Sequence, residues 1–312
     1  MEKHDMKAVK VFSPATIGNI GPGFDVLGLA VRHLGDTVEA VRLSGGRIRI
    51  KVDSPVPLST DPARNTAGLA AANVFKYLNI KGGIDITLHK GLPVGSGLGS
   101  SAASAAAGAF AANFLYGGGL STEQLILAAT EAEAVVSGGF FADNTAPALL
   151  GGATLTRCCI PLDVTRIGSI QSLRIVLVTP NVIVLTREAR KILPRQVPMA
   201  SFIANMANTA LITVAFAKND YSLFARSLND AIVEPVRSKL IPGFDEVKRN
   251  ALKAGADGVA ISGSGPTLFA ITDNLSKARV IEKQMVLTFN SLGISSKSWV
   301  TTVDPKGTRI VE

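Results

Sequence analysis

The chain has 312 residues, 47% hydrophobic and 18% charged, which excludes a disordered chain and suits two domains of ordinary size. Lys and Arg outnumber Asp and Glu by 32 to 24, for a net charge of +8. The basic residues are scattered and aromatics reach only 5%, which argues against a nucleic-acid surface and suits a small anionic ligand.

From the N-terminus, SPATIGNIGPGFDVLGLA (13–30) is a first glycine-rich stretch. TVEAVRL (37–43), IRIKV (48–52) and IDITLH (84–89) place apolar residues at every second position, the mark of half-buried strands. Between them NTAGLAAANVFKYL (65–78) has helical spacing. PVGSGLGSSAA (93–103) is a second glycine stretch, opening into an alanine-rich helix. Ser121 reads as the N-cap of a helix over 122–136. LRIVLVTP (173–180) reads as a buried strand, and helical patterns follow near 186–193, 199–217, 221–229 and 243–254. DGVAISGSGPTLFAIT (257–272) reads as strand, glycine turn, strand, and a helix and strand fill 275–303. Strands and helices mix without strict alternation, so the expected class is α+β. The least patterned stretch, 156–170, sets the expected division into residues 1–160 and 161–312.

The two cysteines, Cys158 and Cys159, are neighbours, so a reducing, cytoplasmic setting is expected. His4, His33 and His89 are not spaced with cysteine as metal ligands, and no signal-peptide pattern opens the chain. The small-apolar stretch from Ala102 to Tyr116 is interrupted by Ser104, Gly108 and Asn113 and falls short of a membrane span.

The middle glycine stretch is neither of two common nucleotide motifs. Gly99 is followed by Ser100 and Ser101, not by the Lys of a P-loop, and Gly95, Gly97 and Gly99 lack the spacing of a dinucleotide fingerprint. What remains is a flexible loop with paired hydroxyls in the first turn of a helix, where backbone N–H groups and the helix dipole attract anions. Either serine can bond phosphate, and either can turn to a magnesium ion. ISGSGPTLFAI (261–271) is a third glycine stretch. Glycine is entropically costly, so three such loops point to one shared cleft; the plain alternative for each is a tight turn.

Together P-x-x-x-G-L-G-S-S-A-A, P-A-T-x-x-N-x-G-P-G-F-D and S-G-S-G-P-T resemble the GHMP family of small-molecule kinases, from about residue 8 to the last strand. N-x-G-P-G-F-D and A-D-N-x-A-P-A-L-L-G-G (142–152) resemble its homoserine kinase branch. The resemblance implies an N-terminal α/β domain with a left-handed crossover, a ferredoxin-like C-terminal domain and a nucleotide in the cleft between them. It further implies ATP, Mg²⁺, transfer to the side-chain hydroxyl of L-homoserine on the way to threonine, and a homodimer.

The likeness also carries over site residues. It assigns Pro93, Val94, Gly95, Ser96, Gly97, Leu98, Gly99, Ser100, Ser101, Ala102 and Ala103 to the ATP phosphates, with Asn65 and Lys90 bordering the nucleotide. Ser101 and Glu133 match its magnesium ligands, although Glu131 rivals Glu133 on spacing alone. Asn19, Asp25, Arg190 and Arg237 match the amino-acid contacts: Asp25 suits an ammonium, and guanidinium forks suit a carboxylate. Read without the likeness, Asp25 can be a helix cap, Lys90 a strand-end charge, and Arg187, Arg190, Lys191 and Arg195 one exposed basic face. Thr186, a helical turn before Arg190, and Asn144 fall near the reacting groups, and no general base stands out. The branch usually reads H-A-D-N where this chain has Phe141-Ala142-Asp143-Asn144. The phenyl ring replaces a hydrogen-bonding histidine, which leaves a GHMP kinase of a different, more apolar hydroxylated metabolite as one alternative, and a non-catalytic ligand-binding member of the fold as another.

Overall fold

The protein is described by a computed structural model over residues 7–311, so His4 lies outside the described residues. A first sheet is built from β1 (Ala8–Gly18), β2 (Leu27–Leu43), β3 (Ile48–Asp53), β4 (Gly83–His89), β5 (Ala153–Cys159), β6 (Leu162–Gly168) and a final β11 (Arg309–Ile310). Its order is β11-β1-β2-β4-β3, with β5 added to β2 and β6 to β5. The other pairings are antiparallel, but β3 and β4 run parallel, joined by the crossover helix α1 (Thr66–Tyr77).

Three further helices complete this half: α2 (Ser100–Leu115), α3 (Thr122–Ser137) and α4 (Thr145–Leu150). The alanine run makes α2 buried on nearly every side, since small side chains let neighbouring backbones come close. A Cβ at Gly108 would lie 2.4 Å from the carbonyl oxygen of Ala67 on α1. Ser121 caps α3 with a reciprocal capping box completed by Gln124, the local signal its sequence carried.

The second sheet has the order β10-β7-β9-β8, from β7 (Arg174–Pro180), β8 (Gly258–Ile261), β9 (Leu268–Thr272) and β10 (Ser296–Thr301). With it come α5 (Thr186–Lys191), α6 (Met199–Lys218), α7 (Tyr221–Ser227), α8 (Glu234–Arg237), α9 (Phe244–Lys253) and α10 (Leu275–Ser291). One face packs on α9 and α10 through Val247, Ile281, Met285 and Phe289. The other joins the first sheet directly: Ile17, Leu27 and Leu29 share one core with Ile175, Leu177, Phe216, Phe224 and Phe269. The α+β class is the one observed.

Two parts of the sequence reading change. The stretch 156–170 is a β-hairpin, β5–β6, belonging to the first sheet. It escaped notice because β6 is only half-buried and exposes Thr165 and Arg166, so it lacks the alternation of a strand with one covered face. The chain therefore changes sheets at 169–173, beyond the turn at residue 160, and β11 returns to the first sheet. The first glycine stretch likewise begins as strand β1, whose last six residues are all buried, without alternation.

One close approach ties this framework to the site. A Cβ at Gly28 on β2 would fall 1.8 Å from the carbonyl oxygen of Asp143. Backbone cannot yield as a side-chain tip can, and overpacking costs about 1–3 kcal/mol. Gly28→Ala is expected to lower the urea midpoint by an amount worth about 2 kcal/mol or more at unchanged m. An unaltered midpoint would mean that the Asp143 segment is free to retreat.

Candidate active site

The three glycine stretches meet. The serine-rich loop lies on the β8–β9 turn: Ser262 Oγ donates to Gly97 O at 2.7 Å and Thr267 N to Ser96 O at 3.1 Å. Thr16 N on β1 donates to Leu98 O at 3.0 Å, and Gly263 N to Gly18 O at 3.1 Å. Between them opens a cleft of about 460 Å³.

One end of the cleft is an anion cradle. Gly95, Gly97 and Gly99 all take positive φ (66°, 80° and 63°), which turns the loop sharply into α2. Gly99 is the N-cap and provides no side-chain cap, so the first-turn N–H groups of α2 are left for a ligand. Val94, Gly95, Ser96, Gly97, Gly99, Ser100 and Ser101 line the cleft. Pro93, Leu98, Ala102 and Ala103 do not: Leu98, Ala102 and Ala103 are buried in the interior behind it, and Pro93 O accepts from Ser96 Oγ at 2.8 Å.

Lys90 also sits here, but its ammonium is not free for a ligand. It pairs with buried Asp36 and donates to Ser100 O (2.9 Å), Ser100 Oγ (2.7 Å) and Ser104 Oγ (3.0 Å). Asn65 caps α1, its side chain accepting from Ala67 N and donating to Ser59 O. Beside the cradle, Ser101 Oγ donates to Glu133 Oε1 at 2.9 Å. Glu131, the rival on spacing, faces away and accepts from Tyr77 at 2.6 Å.

The other end is cationic and aromatic. Asn19 and Asp25 both hold positive φ (71° and 60°), an uncommon backbone for non-glycine residues. Asn19 supports it by accepting from Asp25 N (3.0 Å) and donating to Gly263 O (2.9 Å). Arg190 on α5 forms a two-pronged ion pair with Asp25, at 2.9 and 2.8 Å. Its guanidinium lies 4.1 Å from the Phe141 ring centre and 5.3 Å from that of Phe24. Arg237 is buried, donates to Ala189 O and Gly263 O, and lies 5.0 Å from the Phe24 ring centre.

Between the two ends Thr186 lies 3.3 Å from Ser264 Oγ, and Asn144 is fixed by two bonds. Thr16 donates to its Oδ1 at 2.8 Å, while its Nδ2 donates to Asp143 at 3.1 Å. Among the described residues no three His, Cys, Asp or Glu side chains gather as a metal site.

Two family models match this chain: the GHMP kinases N terminal domain over residues 65–152 and the GHMP kinases C terminal over 212–290. The chain is 45% identical to a homoserine kinase of Arabidopsis thaliana, over 97% of this chain and 85% of that protein. The chain belongs to the homoserine kinase family of GHMP kinases. It is also 43% identical to a homoserine kinase of Pyrococcus horikoshii, over 94% of this chain and 97% of that one. The crystal structure of homoserine kinase from Cytophaga hutchinsonii superposes with a TM-score of 0.93 at 40% identity, covering 98% of each chain.

The residues carried over from the family thus gather in one cleft, apart from the four that do not line it. Sequence reasoning missed Asp36, Thr16 and Phe24. Thr16 and Phe24 stand inside quoted motifs, P-A-T and G-P-G-F-D, and this was their signal. Asp36, in a strand without a motif, had none. The basic cluster resolves into unlike parts: Arg190 is held by Asp25, Arg187 lines the cleft, and Lys191 pairs with Glu188 on the surface.

Burial pushes the Glu133 carboxyl up to about 7 against the pull of Ser101 and Lys90, and pushes Asp143 up to about 7 with help from nearby Asp25. A raised carboxyl favours the protonated folded state. The contribution of Glu133 is therefore fullest below its ordinary value of 4.5 and is lost as pH rises through about 7. A shift of that size is worth roughly 3 kcal/mol. In ligand-free protein, Glu133→Gln is expected to leave stability near pH 4.5 little changed and to raise it at pH 8, read from denaturant midpoints. Equal midpoints for the two proteins at pH 8 would show the carboxylate already compensated.

Proposed function

We propose that the cleft binds ATP at the serine-rich loop and L-homoserine at the arginine end, and transfers the γ-phosphoryl group to the homoserine side-chain hydroxyl, a step towards threonine. The names of the relatives support this reading, and one observation carries it: the Asp25–Arg190 pair opens on the same cleft as the anion cradle. An amino-acid zwitterion presents an ammonium and a carboxylate, and each finds its complement there in Asp25 and in Arg190 with Arg237. Asn19 then completes the amino-acid pocket. Asn144 and Thr186 orient the reacting hydroxyl and phosphate, and positioning with electrostatics supplies the catalysis without a dedicated base.

A magnesium ion fits the residues beside the cradle. Glu133 Oε2 is buried without a hydrogen-bond partner next to the Ser101 hydroxyl, and a single carboxylate plus phosphate oxygens is how Mg²⁺ is usually held. Bound there, it would neutralise charge developing on the β- and γ-phosphates. Gly95 to Ser101 cradle the phosphates, and Asn65 and Lys90 shape the walls beside them.

With ATP and Mg²⁺, homoserine is expected to give the highest kcat/KM among homoserine, threonine, serine, mevalonate and galactose. Arg190→Ala is expected to raise the homoserine KM by about tenfold or more, the size of a lost charged hydrogen bond, and to leave that of ATP within about twofold. Transfer to another alcohol with none to homoserine would sink the substrate assignment and keep the kinase.

We further propose a homodimer in the cytoplasm, formed through α6. This helix carries one charged residue, Lys218, and turns Met199, Phe202, Ile203 and Met206 to solvent at 70, 48, 52 and 55% exposure. Self-association would cover this apolar stripe. Sedimentation at micromolar concentration is expected to give a dimer that Phe202→Lys converts to a monomer of unchanged fold. A monomeric parent protein would end the idea.

A further inference from the structure

We propose that Lys90 is a positioning residue: it fixes the Ser100 hydroxyl as a hydrogen donor to a nucleotide phosphate and thereby divides the labour of the paired serines. The inference rests on the ATP reading above.

The argument is one of hydrogen-bond direction. An ammonium has three hydrogens and no lone pair, so each of the four oxygens around it (Asp36 Oδ2, Ser100 O, Ser100 Oγ and Ser104 Oγ) can only accept, two of them sharing one hydrogen. Lys90 Nζ lies 2.7 Å from Ser100 Oγ, which is therefore an acceptor in that bond. A serine hydroxyl has a single hydrogen, and that of Ser100 meets no acceptor among the described residues, while Ser100 lines the cleft at the first turn of α2. The hydrogen is consequently turned towards whatever enters, which favours an anion.

Lys90 itself has no freedom to do otherwise. Its side chain is 3% exposed and that of Asp36 is 0%. Asp36 accepts in addition from Gly91 N (3.1 Å), Leu92 N (3.2 Å) and Ser104 Oγ (2.7 Å), which binds strand β2, the start of the loop and α2 together. The ammonium is thus fixed under the first turn of α2 before any ligand arrives, and the orientation of the Ser100 hydroxyl needs no rearrangement on binding.

Ser101 has the opposite polarity. Its hydrogen is given to Glu133, so its outward face is a lone pair, the face a cation takes. Two adjacent serines of identical chemistry are made unlike by what stands behind each: an ammonium behind Ser100 and a carboxylate beside Ser101.

The test measures ATP affinity by calorimetry, with Mg²⁺ and with EDTA, in a double-mutant cycle. Ser100→Ala is expected to weaken ATP about tenfold in both conditions, the size of one hydrogen bond to a charged group. Ser101→Ala is expected to weaken it only when Mg²⁺ is present. Lys90→Met is expected to weaken ATP to a similar degree as Ser100→Ala, and to add less than about twofold in the Ser100→Ala background. Because Lys90→Met strands the Asp36 carboxylate, the same cycle is run with Lys90→Met paired with Asp36→Asn, which removes both charges. Additive effects of Lys90 and Ser100 would overturn the proposal, as would unaltered affinity in Ser100→Ala. Absence of ATP binding by the parent protein would overturn the nucleotide reading with it, whereas binding with additive effects overturns this inference alone.

Discussion

The site depends on how closely the main chain of one loop approaches its neighbours. A Cβ at Gly97 would meet Ser262 O at 2.4 Å and Gly265 O at 2.8 Å, and one at Gly99 would meet Thr16 Oγ1 at 1.9 Å. At these distances no side chain fits between the loops, and positive φ at both positions adds a second reason for glycine. The loops can approach this far because the two sheets share a core directly beneath them, where Ile17 and Leu98 pack with Leu177 and Phe269. The cleft is thus a seam between two halves that are already joined, and the polar groups along it inherit their positions from that packing.

Two ion pairs in the seam differ in kind. Lys90–Asp36 is sealed: both side chains are almost wholly buried, and backbone and serine donors satisfy the remaining carboxylate lone pairs. Removing one partner of such a pair costs about 3–5 kcal/mol, because the other charge is left behind. Asp25–Arg190 is open: the side chains keep 18 and 33% of their exposure, and both line the cleft. Water screens the second pair, so an incoming ammonium and carboxylate can exchange places with it at modest cost. The first pair builds the cradle, and the second leaves its carboxylate and guanidinium satisfied yet accessible from the cleft.

Helices with local signals were legible in the sequence. The Asn65 cap of α1, the Ser121 capping box of α3 and the glycine entry to α2 are each written within a few residues. The hairpin at 153–168 was not, because its strands owe their place to pairing with β2 and not to a covered face. The site shows the same division. Motifs named most of the residues that line the cleft, but no local pattern discloses that Asp36 lies under Lys90, 54 positions away, or that Asp25 answers Arg190 across 165. Such pairings are consequences of the topology, which brings strand ends, loop and α5 to one edge.

Phe141 shows how that topology gives a departure from the family pattern its meaning. From sequence it is a lost hydrogen bond, since a phenyl ring cannot replace the donors and acceptors of imidazole. In the fold the ring lies against the guanidinium of Arg190, with Phe24 also near that group, while Asp25 holds the fork edge-on. An aromatic face attracts a cation and restricts it to the plane that a carboxylate must meet. The ring therefore gives up a direct polar contact and in return helps to fix the orientation of Arg190. With Asp25 on the fork and the Phe141 ring beside it, the wall at Phe141 supports Arg190 by packing and offers the cleft no hydrogen bond of its own.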